Sequence, residues 1–252
     1  MRNSILVALL VLVLTPFALG QEYGSGEEVM DAVEAQQSPP STVATMTMTI
    51  TSRSGQSLTR QMQIWSADEG RKQLIKFTAP ADIRGSGFLS LETASGTSES
   101  MIYLPALDRV RRIAGGQEQE AFFGSDFSYE DITALGGDFG EEYAFELLET
   151  REGPLYVVEA TLKEGADTTY DRMVLEVPEE TLVPTRVEFY RNDELFKVMT
   201  ISETSEVAGY TMPSQIRMET VGSGSFTTIE QSDWTVDEEI PDDVFSERFL
   251  RR

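Results

Sequence analysis

Asp126, Glu130 and Asp131 fall close together in a stretch that also carries Phe122, Phe123, Phe127 and Tyr129. Paired carboxylates beside stacking rings are the equipment of a glycosidase, one acting as acid and the other as base or nucleophile. Few other chemistries are open to this chain. It contains no His and no Cys, as the counts of 0 and 0 show. That excludes Ser-His-Asp triads, thiolate nucleophiles and zinc sites built on His or Cys. Catalysis would have to run on carboxylates, Tyr, Lys or Ser. With 43 acidic side chains in 252 residues, however, neighbouring carboxylates also arise by composition alone. A catalytic pair would face across a cleft, with one pKa raised. No cofactor or metal is implied, and the chain reads as a non-enzyme.

A second group is basic: Arg109, Arg111 and Arg112, directly upstream of Ile113 to Thr150, where there is no Lys or Arg. The cluster is either a docking surface, for instance for an inner-membrane transporter, or a charged strand edge that discourages aggregation. The formal net charge of −23 disfavours nucleic acid and anionic headgroups as partners. Its simplest consequence is solubility.

A third group is apolar. In "VATMTMTITS" the residues Met46, Met48 and Ile50 alternate with threonines, and in "LTRQMQIWSAD" Met62 and Ile64 alternate with polar residues. Each run reads as a strand with one apolar face. Met is adaptable and common on promiscuous apolar surfaces, so this face, with Phe77, Leu89 and Leu91, is a candidate lining for an acyl chain. Each buried methylene contributes ~0.8 kcal/mol, so about fourteen give on the order of 11 kcal/mol before association costs. The ordinary core of an amphipathic sheet would show the same pattern.

The elements that must position these groups follow from punctuation. Arg2, an apolar run from Ile5 to Leu14 and the small residues Ala18 and Gly20 make residues 1–20 a cleavable signal peptide. Position 21 is Gln, so lipid anchoring through a cysteine is not expected. No later segment approaches transmembrane length. Residues 21–252 read as one domain. Ser25 caps a helix over 25–37, with Glu27 and Glu28 in its first turn and Val29, Ala32 and Val33 on one face. Short alternating runs with turn residues every 8–12 positions then give six strands, an aromatic-rich irregular stretch over 115–140, and seven more strands. Pro241, two Asp and three late Arg suit a terminal helix over 242–251. The class is mainly β with a few helices.

Three runs, "KQLIKFTAPADIRGSGFLSLE", "MIYLPALDRVRRIAGG" and "FFGSDFSYEDI", resemble the LolA-like outer-membrane lipoprotein-sorting family. "TRVEFYRNDELFKVMTIS" and "YTMPSQIRMET" extend the likeness over most of the chain. The resemblance implies one curved antiparallel sheet, a half-open barrel with a helical lid over its concave side. It also implies a periplasmic, monomeric carrier of lipoprotein or lipid acyl chains. An accessory or sensor protein of an envelope transporter or stress system is the alternative on the same fold. No family residue maps onto a particular position here.

Overall fold

The computed structural model describes residues 23–37, 39–92, 98–135, 142–148, 153–166 and 168–252. The expected signal peptide, residues 1–20, lies outside them. Strands β1 (Ser41–Thr51), β2 (Ser57–Ala67), β3 (Lys72–Ala79), β4 (Gly87–Glu92), β5 (Ser98–Leu104) and β6 (Arg109–Ile113) form a meander. After the irregular stretch come β7 (Tyr143–Leu147), β8 (Leu155–Leu162), β9 (Arg172–Pro178), β10 (Arg186–Arg191), β11 (Glu194–Val207), β12 (Tyr210–Thr220) and β13 (Phe226–Val236). All belong to one 13-stranded antiparallel sheet in the order β6-β5-β4-β3-β2-β1-β13-β12-β11-β10-β9-β8-β7. The two meanders join where β1 pairs with β13, Met48 lying opposite Ile229. The sheet is curved and does not close, so β6 and β7 are its edges.

The concave face carries the main core. Ile113 on one edge strand and Tyr143 on the other belong to a single buried cluster with Met46, Met48, Met62, Phe77 and Ile229. One face of the sheet, the concave one, is thus covered from edge to edge. Helix α1 (Gly26–Gln37) buries Val29, Met30 and Val33 in that cluster. As the sequence indicates, Ser25 caps it, its Oγ accepting from the Glu28 amide at 3.2 Å. Helix α2 (Tyr129–Ala134) adds Ile132.

A smaller core lies on the convex side. Leu74, Leu89, Met101 and Tyr103 pack there beneath Val244, Phe245 and Leu250 of the C-terminal segment. The continuous terminal helix expected over 242–251 is instead two pieces, a 3-10 turn at Asp242–Val244 and α3 (Glu247–Leu250). Phe245 leaves helical geometry at φ −89, ψ 55. Ser246 then starts a new helix, accepting from the Phe249 amide at 3.2 Å. The break lets both Phe245 and Leu250 reach the sheet.

Candidate ligand-binding site

The concave face is built by strand alternation. On β1, Ala44, Met46 and Met48 are buried while the intervening threonines are half-exposed. Across the ladder Ala44 faces Ile64 and Met46 faces Met62; Met62 in turn faces Phe77. The structure therefore brings Met46, Met48, Met62, Ile64 and Phe77 together, with Ile50 half-buried at their border. It does not bring Leu89 and Leu91 to them. Both point to the convex side, Leu89 inside the smaller core and Leu91 against it, and Phe88 takes the concave position. Sequence reading also passed over Met173, Met199 and Met218, which line the same concave face on β9, β11 and β12. Met218 lies between Arg217 and Glu219 and is marked by that alternation, whereas Val174 beside Met173 and Val198 beside Met199 blur the pattern on β9 and β11.

A lid covers the Phe77 end. Phe122 stacks on Phe77 with ring centroids 6.0 Å apart, and Phe123 approaches the same ring at 4.5 Å. Phe122 and Tyr129 each lie within 5.7 Å of Phe88. Arg60, opposite Met48 on β2, donates from its guanidinium to the Phe123 carbonyl. Burial lowers its pKa, opposed by Asp82.

The three carboxylates singled out above fasten this lid to the sheet. Asp126 accepts from the hydroxyls of Thr220 at 3.0 Å, Ser225 at 2.7 Å and Thr227 at 2.7 Å. Glu130 accepts from the Thr169 amide at 3.1 Å and from its hydroxyl. Desolvation raises the Glu130 pKa, and the Thr169 bonds oppose it. Asp131 closes the capping box of α2, taking the Ser128 amide at 2.7 Å. It also accepts from the Tyr170 hydroxyl at 2.8 Å and meets Lys197 Nζ at 2.7 Å. Burial, with the Asp131 charge next, pushes the Tyr170 phenol well above its ordinary range. Asp126 is thus tied to the β12–β13 hairpin, Glu130 and Asp131 to the adjacent Thr169 and Tyr170 ahead of β9, and Asp131 also to β11 through Lys197, an arrangement that anchors the segment to the sheet.

Between α2 and the sheet lies a cavity of about 60 Å³, lined on the apolar side by Ala44, Met46, Ile64, Ile75, Ile132 and Leu135. Small-molecule pockets occupy roughly 300–1,000 Å³, so the lid is closed down on the sheet here. Arg109, Arg111 and Arg112 sit on the edge strand β6. Arg111 meets Glu120 at 3.5 Å and Arg112 meets Glu99 at 3.4 Å, all four well exposed. Among the described residues no helix is long and apolar enough to cross a membrane.

A family model described as an uncharacterized protein matches residues 69–252. A crystal structure of a DUF1329 family protein from Desulfovibrio piger is 30% identical, with a TM-score of 0.81 over 89% of this chain and 97% of that one. The chain belongs to the DUF1329 family. A domain from Vibrio parahaemolyticus described as a "putative outer membrane lipoprotein-sorting protein domain" is similar at 29% identity. Its TM-score is 0.81, covering 90% of this chain and 98% of its own. A LolA superfamily protein from Nitrosomonas europaea, at 19% identity and a TM-score of 0.74 over 90% of this chain and 100% of that one, shares the fold. No curated protein matches the sequence. The DUF1329 chain therefore has the LolA-like architecture that its sequence resembles: one curved, unclosed antiparallel sheet.

Proposed function

We infer that this protein is a periplasmic carrier that shelters the acyl chains of a lipoprotein or lipid between its concave sheet face and its lid, for transfer toward the outer membrane. The observation that carries the reading is the concave face itself. Six strand methionines, Met46, Met48, Met62, Met173, Met199 and Met218, share one buried cluster there. Unbranched thioether side chains can repack around an inserted chain as branched ones cannot, and burial of methylenes supplies the affinity. Loading requires the lid to lift, because the resting cavity is small. The inner-membrane transporter expected as a partner would meet the carrier at the arginine-rich edge β6, as a monomer.

The test combines two measurements on the purified exported protein: mass spectrometry of extracted lipids, and displacement of a fluorescent acyl probe. Ala44 is 1% exposed and lines the cavity. Ala44→Phe fills the space a chain would take, at a cost of about 1–3 kcal/mol in stability. The carrier reading expects lost probe binding in a protein that still folds. A folded Ala44→Phe protein with unchanged probe affinity, together with a lipid-free extract, would refute it.

A further inference from the structure

One row of the concave face is not apolar. Thr42 on β1 faces Ser66 on β2, Ser66 faces Gln73 on β3, Gln73 faces Ser90 on β4, and Ser90 faces Ser100 on β5. Neighbouring strands lie roughly 4.8 Å apart, so the row runs roughly 19 Å across the sheet. It belongs to the concave side, because each member alternates with a residue of the main core: Gln73 with Ile75, Ser90 with Phe88, Ser100 with Ile102. Four of the five are buried, Thr42 at 9%, Gln73 at 6%, Ser90 at 3% and Ser100 at 5%. Ser90 and Ser100 satisfy each other through their hydroxyls at 3.3 Å. Gln73 does not close the chain of bonds: its side-chain carbonyl Oε1 is fully buried and has no hydrogen-bond partner.

Thr42, Ser66 and Gln73 also line the cavity whose apolar wall is Met46, Ile64 and Ile132. The cavity therefore has two ends of different chemistry. A buried acceptor without a donor is costly to maintain, and a row of hydroxyls with no ionisable member offers nothing to neutralise a charge. A ligand that suits both ends is an uncharged amphiphile. Its chain would run along the methionines, and an N–H or O–H donor at its head would meet Gln73 Oε1 while its own carbonyl accepts from the Ser and Thr hydroxyls.

We propose that the Thr42–Ser66–Gln73 end of this cavity is the head-group subsite of this carrier and selects acyl ligands with an uncharged hydrogen-bond donor at the head, such as an acyl amide. The proposal rests on the carrier reading above and narrows it to a ligand class.

The experiment compares two uncharged competitors that differ at one atom, N-methyl dodecanamide and methyl dodecanoate, in displacing a fluorescent acyl probe from the purified protein. A net hydrogen bond corresponds to roughly two- to ten-fold in affinity, so the amide is expected to bind that much more tightly. In Gln73→Met, which keeps the volume and removes the acceptor, the ratio is expected to fall to about one. Equal binding of the two competitors by the wild-type protein overturns this proposal and leaves the carrier reading intact. So does an unchanged ratio in Gln73→Met, or a folded Gln73→Met protein that binds neither. A wild-type protein that binds no acyl compound at all overturns both.

Discussion

Replacing Lys197 by Met tests how the lid is held. Lys197 Nζ lies 2.7 Å from Asp131, with the two side chains only 8% and 3% exposed. The change keeps the length of the side chain and removes its charge. Asp131 then retains the Ser128 amide and the Tyr170 hydroxyl but loses its counter-charge in a site shut off from water. Breaking a buried pair from one side costs about 3–5 kcal/mol, because the remaining ion is left uncompensated. For a chain of 150–250 residues each kcal/mol moves the melting temperature by about 2–4 °C, so the loss should be about 6–20 °C. Urea unfolding followed by circular dichroism, with the slope checked for constancy, gives the free energy directly. The double variant Lys197→Met with Asp131→Asn removes both charges and should recover part of the loss, a coupling of about 0.5–3 kcal/mol. If Lys197→Met costs under about 1 kcal/mol, or if the two single losses simply add, the pair does not fasten the lid.

Other expectations follow from individual contacts. The raised Glu130 pKa means that the folded protein holds this proton more tightly than the unfolded chain. Its contribution is therefore favourable at acid pH and is lost as pH rises through the raised folded pKa. Glu130→Gln should flatten that part of the stability profile in unfolding titrations across pH 4–8. Gly26 opens α1 against β7, and a Cβ there would lie 2.6 Å from the Phe145 carbonyl carbon. Gly26→Ala should cost about 1–3 kcal/mol and speed hydrogen exchange in α1. Met48 is fully buried at 0% exposure, so Met48→Ala should cost about 2–5 kcal/mol in urea unfolding.

The sheet was readable because alternation survives wherever one face is wet. The order of six strands, an irregular segment and seven strands stands in the structure as the sequence indicates. Alternation misleads where both faces are covered. In β4, Phe88 and Ser90 face the main core while Leu89 and Leu91 face the C-terminal segment, so "FLSLE" gives no sign of which side is concave. Tertiary pairing was equally hidden. Lys197 and Asp131 are 66 residues apart, and nothing local marks either as the other's partner. The aromatic stretch reads as loop with helical turns, and α2 within it is only 6 residues long, too short for a period to show. The role of its carboxylates as anchors depends on Thr169, Lys197 and the β12–β13 hairpin, which only the fold brings near.

The methionine face has a chemical consequence. With no cysteine in the chain, methionine is its whole stock of sulfur. Peroxide converts a thioether to a sulfoxide, polar and chiral, only where it can reach the sulfur. Met46, Met48, Met62 and Met218 are at most 2% exposed, and Met173 and Met199 no more than 6%. Packed in this way they are shielded. Their oxidation therefore requires the packing over them to open, locally or globally, and each polar sulfoxide would oppose its closing again. The rate at which peroxide oxidises these sulfurs is therefore a measure of how often the buried face opens, readable by mass spectrometry of the treated protein.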